Sequence, residues 1–261
     1  MAVKQYVTAD RVDFKYAKGK TDIYGNTLHT RFELYLLLGG SVCLVTDRAR
    51  IRLCPYQLAV IPPEQYHQFT VEGDVEEYER CVLNLDVDFI DAAVLKNALS
   101  GKELLTLSCD DRIVRHILYL KDEIDRRGEE ELRYLLPAVA TDIVFCIKHT
   151  ESAVNAAHGG IGKLSQKIMN HLNAHYTETI ELERLSEIFH FSISTLCHAF
   201  KEDFGITIKQ YVMQKRLNAA RFLLERGGKS KEVCRQVGFF NYSAFFRAYK
   251  KQFGNMPSDH K

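Results

Sequence analysis

The stretches FSISTLCHAFKEDFG (residues 191–205) and FNYSAFFRAYKKQFG (residues 240–254) superimpose with a period of 49 residues. The identical pairs are Phe191/Phe240, Ser194/Ser243, Ala199/Ala248, Lys201/Lys250, Phe204/Phe253 and Gly205/Gly254. Leu196/Phe245 and Phe200/Tyr249 keep apolar character. A short amphipathic segment precedes each copy, LERLSEIFH at 182–190 and SKEVCRQVG at 230–238. Each unit therefore reads as a short helix, a three-to-four-residue turn and a second helix, the helix-turn-helix layout.

Helical spacing assigns roles within each unit. The first helix is expected to pack through Leu185 and Ile188, or through Val233 and Val237, with His190 or Gly238 in the turn. Ser192 and Asn241 stand where the second helix needs an N-cap. That helix buries Leu196 and Phe200 in one unit and Phe245 and Tyr249 in the other. The opposite face is left for Ser194, Thr195, Cys197 and His198, and for Tyr242, Ser243, Phe246 and Arg247, with Asn241 beside them. Lys201 and Lys250 follow one turn later, where an ammonium reaches a phosphate. Arg247 is the strongest base-reading candidate, because a guanidinium grips guanine O6 and N7, or a phosphate, in bidentate fashion. Phe246 either meets a thymine methyl or is half-buried. A purely structural use of these helices accounts for Leu185, Ile188, Leu196, Phe200, Phe245 and Tyr249, but not for the polar face. Residues 208–225 join the units as a helix roughly 27 Å long. Such a strut holds two recognition helices about one turn of B-DNA apart, on the order of 34 Å.

The bulk charge stands against this at first sight. The 261 residues carry 35 Lys and Arg against 34 Asp and Glu, net +1. Splitting the chain at Gly162 removes the objection. Residues 1–162 hold 19 basic and 25 acidic side chains, net −6, and residues 163–261 hold 16 and 9, net +7. The repeat lies wholly in the basic part, the electrostatic footprint of a DNA-binding module. With 46% hydrophobic and 26% charged residues the chain is no disordered polyelectrolyte, and its length suits one large or two medium domains. No apolar signal region and no run of about 18 apolar residues is found, so a cytoplasmic location without membrane contact is expected. The seven cysteines are scattered with no CxxC pair. Reduced, mostly buried thiols are expected, with no cofactor, no metal and no enzymatic activity.

The first 90 residues read as short strands: 32–38 (FELYLLL), 41–46, 51–53, 58–61, 67–71 and 78–85. Close spacing with Gly, Pro and Asp between them points to a β-barrel or sandwich. Residues 112–127 and 132–149 then show helical periodicity as an antiparallel pair. These helices pack on the barrel or on the same pair of a second chain. Pro137 is expected to kink the second helix or mark its first turn. Residues 151–162 are small and Gly-rich, a linker.

"LCHAFKEDFGITIKQYVMQKRLNAARFLL" (196–224) and "VGFFNYSAFFRAYKKQFGNMP" (237–257) resemble the DNA-binding domain of the AraC/XylS family of transcription regulators. The latter stretch is similar to the family's signature for its C-terminal unit, a Gly-Phe pair before the recognition helix and a closing Pro. Ser186 stands where the family usually has Ala, His190 where Gly is common, and Asp259-His260 where Tyr-Arg is expected. The family often carries an N-terminal cupin-like barrel. "LHTRFELYLLLGG" (28–40), "YQLAVIPPEQYHQF" (56–69) and "EYERCVLNLDVDF" (77–89) resemble its segments in order. Metal-binding cupins use three His and one Glu. His29, Glu33 and His67 fit three of those positions, Thr27 replaces the remaining His, and Tyr56 and Glu64 replace two glycines. Either His29 and Glu33 hydrogen-bond inside the barrel mouth, or His29, Glu33 and His67 line a pocket for a small polar effector, or the three hold a metal.

The expected fold is thus α+β in two domains. A cupin-like sensor and dimerisation domain fills 1–150, a linker 151–162, and an all-α domain with two helix-turn-helix units 163–261. The expected function is a dimeric, sequence-specific regulator of transcription, an activator rather than a repressor. Its partners are double-stranded DNA, a small-molecule effector and, as an activator, RNA polymerase. The alternatives are a metal-dependent cupin enzyme with an appended DNA-binding domain, and a regulator without an effector.

Overall fold

The computed structural model describes residues 3–19, 29–151 and 161–259. The chain divides into two compact units, one made of Met1–Thr27, Arg31–Leu44 and Arg50–Gly159, the other of Leu28–Thr30, Val45–Ala49 and Gly160–Lys261.

The first unit begins with strands β1 (Val3–Ala9) and β2 (Val12–Lys18). Strands β3 (Phe32–Gly39), β4 (Ser41–Thr46), β5 (Arg50–Leu53), β6 (Gln57–Ile61), β7 (His67–Glu72) and β8 (Glu79–Leu85) follow. Helix α1 (Ala92–Leu99), strand β9 (Leu104–Thr106) and helices α2 (Arg112–Ile124) and α3 (Glu129–His149) complete it. Among the described residues the strands form a six-stranded sheet, ordered β1-β2-β8-β3-β6-β9, and a three-stranded sheet, β5-β4-β7. The central strands β3 and β6 are buried on both faces, which is why they read as near-continuous apolar runs. Alternation splits each strand between two cores. Leu34 and Leu36 of β3, Leu58 and Val60 of β6, and Cys81 and Leu83 of β8 pack with Ile113, Ile117, Leu136 and Ile143 of the helices. Tyr35, Leu37, Ala59, Ile61 and Val82 share the other core with Val42, Leu44 and Leu53 of the smaller sheet.

The expectation of an antiparallel β region followed by two helices is met in that form. A closed barrel is not found among the described residues, where the strands lie in two sheets. Sequence reasoning misses three strands and one helix: β1, β2, β9 and α1. Val12, Phe14 and Tyr16 alternate with Asp13 and Lys15, the signal for β2. Asp91, whose carboxylate accepts from the backbone of Ala93 and Val94, is the signal for α1. Pro137 lies well inside α3, not in its first turn. The linker expected at 151–162 falls mostly outside the described residues, as does Thr27.

The second unit is helical: α4 (Lys163–His175), α5 (Leu182–Phe189), α6 (Ile193–Phe204), α7 (Ile208–Glu225), α8 (Ser230–Gln236) and α9 (Tyr242–Phe253). Ser192 caps α6 by accepting from Thr195 N, and Asn241 caps α9 by accepting from Ala244 N. Both helices end on left-handed glycines, Gly205 and Gly254, so the repeat's final identity is a C-cap. Thr207 and Gln210 form a capping box that starts α7 at the expected residue. Leu196, Phe200 and Phe204 fill the first core with Leu185 and Tyr211. Phe245 and Tyr249 fill the second with Leu217, Leu224, Val233 and Val237. Burying each such side chain stabilises by about 1.5–3 kcal/mol.

Candidate nucleic-acid interface

Each recognition helix is positioned by its partner helix and turn. In the first unit the turn residue His190 takes a left-handed conformation, φ 58°, and in the second Gly238 does, φ 89°. Gly238 is forced as well by a close approach: a Cβ there would stand 2.4 Å from the carbonyl oxygen of Thr177. Phe239 follows into the core, its ring 5.1 Å from that of Phe245. Both turns are closed by a side chain, the Ser186 hydroxyl donating to the Phe191 carbonyl at 2.6 Å and the Cys234 thiol to the Phe239 carbonyl at 3.6 Å. The long α7 is tied to the end of α4 by Arg216. Its guanidinium donates to the carbonyls of Tyr176 and Glu178, both at 2.6 Å, and stands 5.9 Å from the centre of the Phe239 ring. Burial lowers the pKa of Arg216 below the usual arginine value.

With Leu196 and Phe200 turned into the core, α6 exposes Ser194, Thr195, His198 and Lys201, while Cys197 is half-buried. The Thr195 hydroxyl is engaged with the cap, 2.8 Å from Ser192 Oγ. His198 is well exposed, its Nδ1 3.5 Å from Glu202 Oε2. On α9, Ser243, Arg247 and Lys250 are exposed and Tyr242 and Phe246 are half-buried. Tyr242 packs on the second core, its ring 6.0 Å from Phe245 and 6.4 Å from Phe246. The carboxamide oxygen of Asn241 is used by the cap.

Ile188 departs from its expected place. Spacing puts it in the core, yet it is 39% exposed, in a groove with Lys163, Lys167 and Phe191. Leu185 alone of that pair is buried, because an eight-residue helix turns only one narrow stripe inward. Phe240, immediately before the α9 cap, is 85% exposed, and its repeat partner Phe191 is 47% exposed. Spacing offers no warning, since both read as core-type aromatics.

His29, Glu33 and His67 offer ligand atoms all within 4.8 Å of one another. His67 is fully buried, with Nδ1 3.0 Å from the Gln65 carbonyl and Nε2 3.7 Å from Glu33 Oε2. The Gln65 carbonyl can only accept, so Nδ1 donates to it and Nε2 is the ring nitrogen that faces the carboxylate. Tyr56 and Glu64, standing in place of two glycines, both keep the left-handed backbone, φ 66° and 61°. The turns on either side of β6 therefore hold glycine-type geometry despite the replacements.

A helix-turn-helix domain model matches residues 185–261. The chain is similar to the uncharacterized HTH-type transcriptional regulator YdiP of Escherichia coli strain K12, with 33% identity over 114 residues. That match takes in 42% of this chain and 38% of YdiP, so the chain spans well under half the length of this relative. A second relative, the uncharacterized HTH-type transcriptional regulator YobQ of Bacillus subtilis strain 168, is 24% identical over 245 residues, covering 91% of this chain and 88% of YobQ. Among solved structures, ToxT from Vibrio cholerae O395 aligns with 100% of this chain and 96% of its own at 15% identity, TM-score 0.42. The second unit is thus a DNA-binding helix-turn-helix domain. In this part the chain is similar to HTH-type transcriptional regulators.

Proposed function

We propose that the chain is a sequence-specific, cytoplasmic regulator of transcription that reads two successive major-groove segments with α6 and α9. The carrying observation is the repeated exposed face, Ser194, His198 and Lys201 on one helix and Ser243, Arg247 and Lys250 on the other, in a part of the chain with net charge +7. The domain limits that fit this reading are 1–150, a linker at 151–162, and 163–261. The regulator acts as a dimer and as an activator that contacts RNA polymerase. Footprinting of the full chain on the promoters next to its gene tests it. Protection of two half-sites about one helical turn apart, resistant to competitor DNA, is expected. Binding that ignores sequence refutes the reading.

The cupin-like first unit is proposed to sense a small polar effector through His29, Glu33 and His67. The support is a buried imidazole and a nearly buried carboxylate meeting a half-buried histidine. A thermal-shift screen with sugars and small metabolites checks this. An effector that binds the native state raises the melting temperature, and His67→Ala abolishes the rise. The enzyme alternative predicts stoichiometric iron, manganese or zinc in the purified protein, lost on His67→Ala.

A further inference from the structure

A second cluster lies away from His29, Glu33 and His67, on the helix pair α2 and α3. Asp142 and Cys146 are one turn apart on α3 and so share a face. His116 of α2 meets them there. The ligand atoms of His116, Asp142 and Cys146 all lie within 4.8 Å of one another. His116 Nδ1 is 3.0 Å from Asp142 Oδ2, and Cys146 Sγ is 3.9 Å from the same oxygen. In a tetrahedral site with bonds of roughly 2.0–2.3 Å, neighbouring ligand atoms stand about 3.3–3.8 Å apart. The observed spacings bracket that range. The Nδ1 atom is buried and makes no hydrogen bond, because its approach to Asp142 is close but badly angled. All three side chains are half-buried, which leaves a path for an ion.

We propose that His116, Asp142 and Cys146 bind a borderline-soft divalent cation, zinc being the natural fit to one imidazole, one carboxylate and one thiolate. A fourth position stays open to water. Hard cations such as magnesium are disfavoured by the sulfur. Arg112 competes for the site, its Nη2 lying 3.1 and 3.0 Å from the two Asp142 oxygens. The ion displaces that guanidinium. Burial and Asp142 raise the Cys146 pKa, so binding releases the thiol proton to solvent. The proposal is independent of the DNA-binding reading.

Cobalt(II) titration of the full-length protein tests it. One equivalent is expected to produce a near-ultraviolet thiolate-to-cobalt charge-transfer band that zinc abolishes. Cys146→Ser removes the band, whereas Cys54→Ser and Cys109→Ser keep it. Asp142→Asn weakens cobalt binding by about tenfold or more, and it carries the test if the Cys146 variant misfolds. Arg112→Gln tightens binding by removing the competing cation. No band in the wild type, or a band that survives Cys146→Ser, overturns the proposal.

Discussion

The two helix-turn-helix units repeat one backbone plan with different means. Both recognition helices start on a side-chain cap, turn two large apolar residues inward, and end on a left-handed glycine. Their turns differ. The first carries a β-carbon in the left-handed region at His190 and is fastened by a hydroxyl, while the second is fastened by the Cys234 thiol and has Gly238 pressed against a neighbouring backbone. Their outer faces differ more. The first presents small polar residues and a histidine, the second aromatics and an arginine. The repeat therefore fixes how each helix is held, and the unmatched positions fix what its outer face presents.

The turn comparison breaks with the largest effect. Gly238→Ala adds a methyl into the Thr177 carbonyl at positive φ, and a loss of roughly 3 kcal/mol in urea unfolding is expected. Gly254→Ala has the same sign of φ but open space around it, and is expected to cost about 1 kcal/mol. His190→Gly changes stability by less than about 1 kcal/mol, in the stabilising direction. Equal losses at Gly238 and Gly254 would show that strain alone, not the close approach, selects glycine in the second turn.

The outer faces separate in DNA binding. Arg247→Ala should lose about 1–3 kcal/mol of affinity at one base position while leaving the melting temperature nearly unchanged. His198→Ala should lose less, because its imidazole is shared with Glu202. Quantitative gel shifts with single-base variants of the site check both, and an unchanged base preference for Arg247→Ala removes its assigned role. The caps should behave alike: Ser192→Ala and Asn241→Ala are each expected to cost about 1 kcal/mol in thermal unfolding. Clearly unequal costs would mean that the two helices are not started in the same way. The smallest effect is the most specific. Replacing thymine by uracil removes one methyl, and this should weaken binding by up to about 0.8 kcal/mol in the half-site read by Phe246. The same change in the half-site of the first unit should do nothing.

The contrast between local and distant information explains which features are legible without the fold. Caps, left-handed stops and apolar stripes are local, so Ser192, Asn241, Leu196, Phe200, Phe245 and Tyr249 fall where spacing places them. The start of α7 at Ile208 follows from Thr207 and Gln210. The strand β1 escapes because its residues carry little apolar alternation of their own. It is held by pairing with β2, which in turn pairs with β8, about 70 residues away. The exposure of Ile188, Phe191 and Phe240 is equally invisible, since an apolar residue on a short helix or turn is core or surface according to what packs over it.

The sequence by itself determined the twofold reader, its caps, the long helix between the units and the division of charge, because helical periodicity and net charge are properties of neighbouring residues. Only the tertiary structure decided that the first unit's strands lie in two sheets, that His67 faces Glu33, and that His116 meets Asp142 and Cys146. Those meetings join residues some 26 to 34 positions apart, and no spacing rule brings such residues together before the chain has packed.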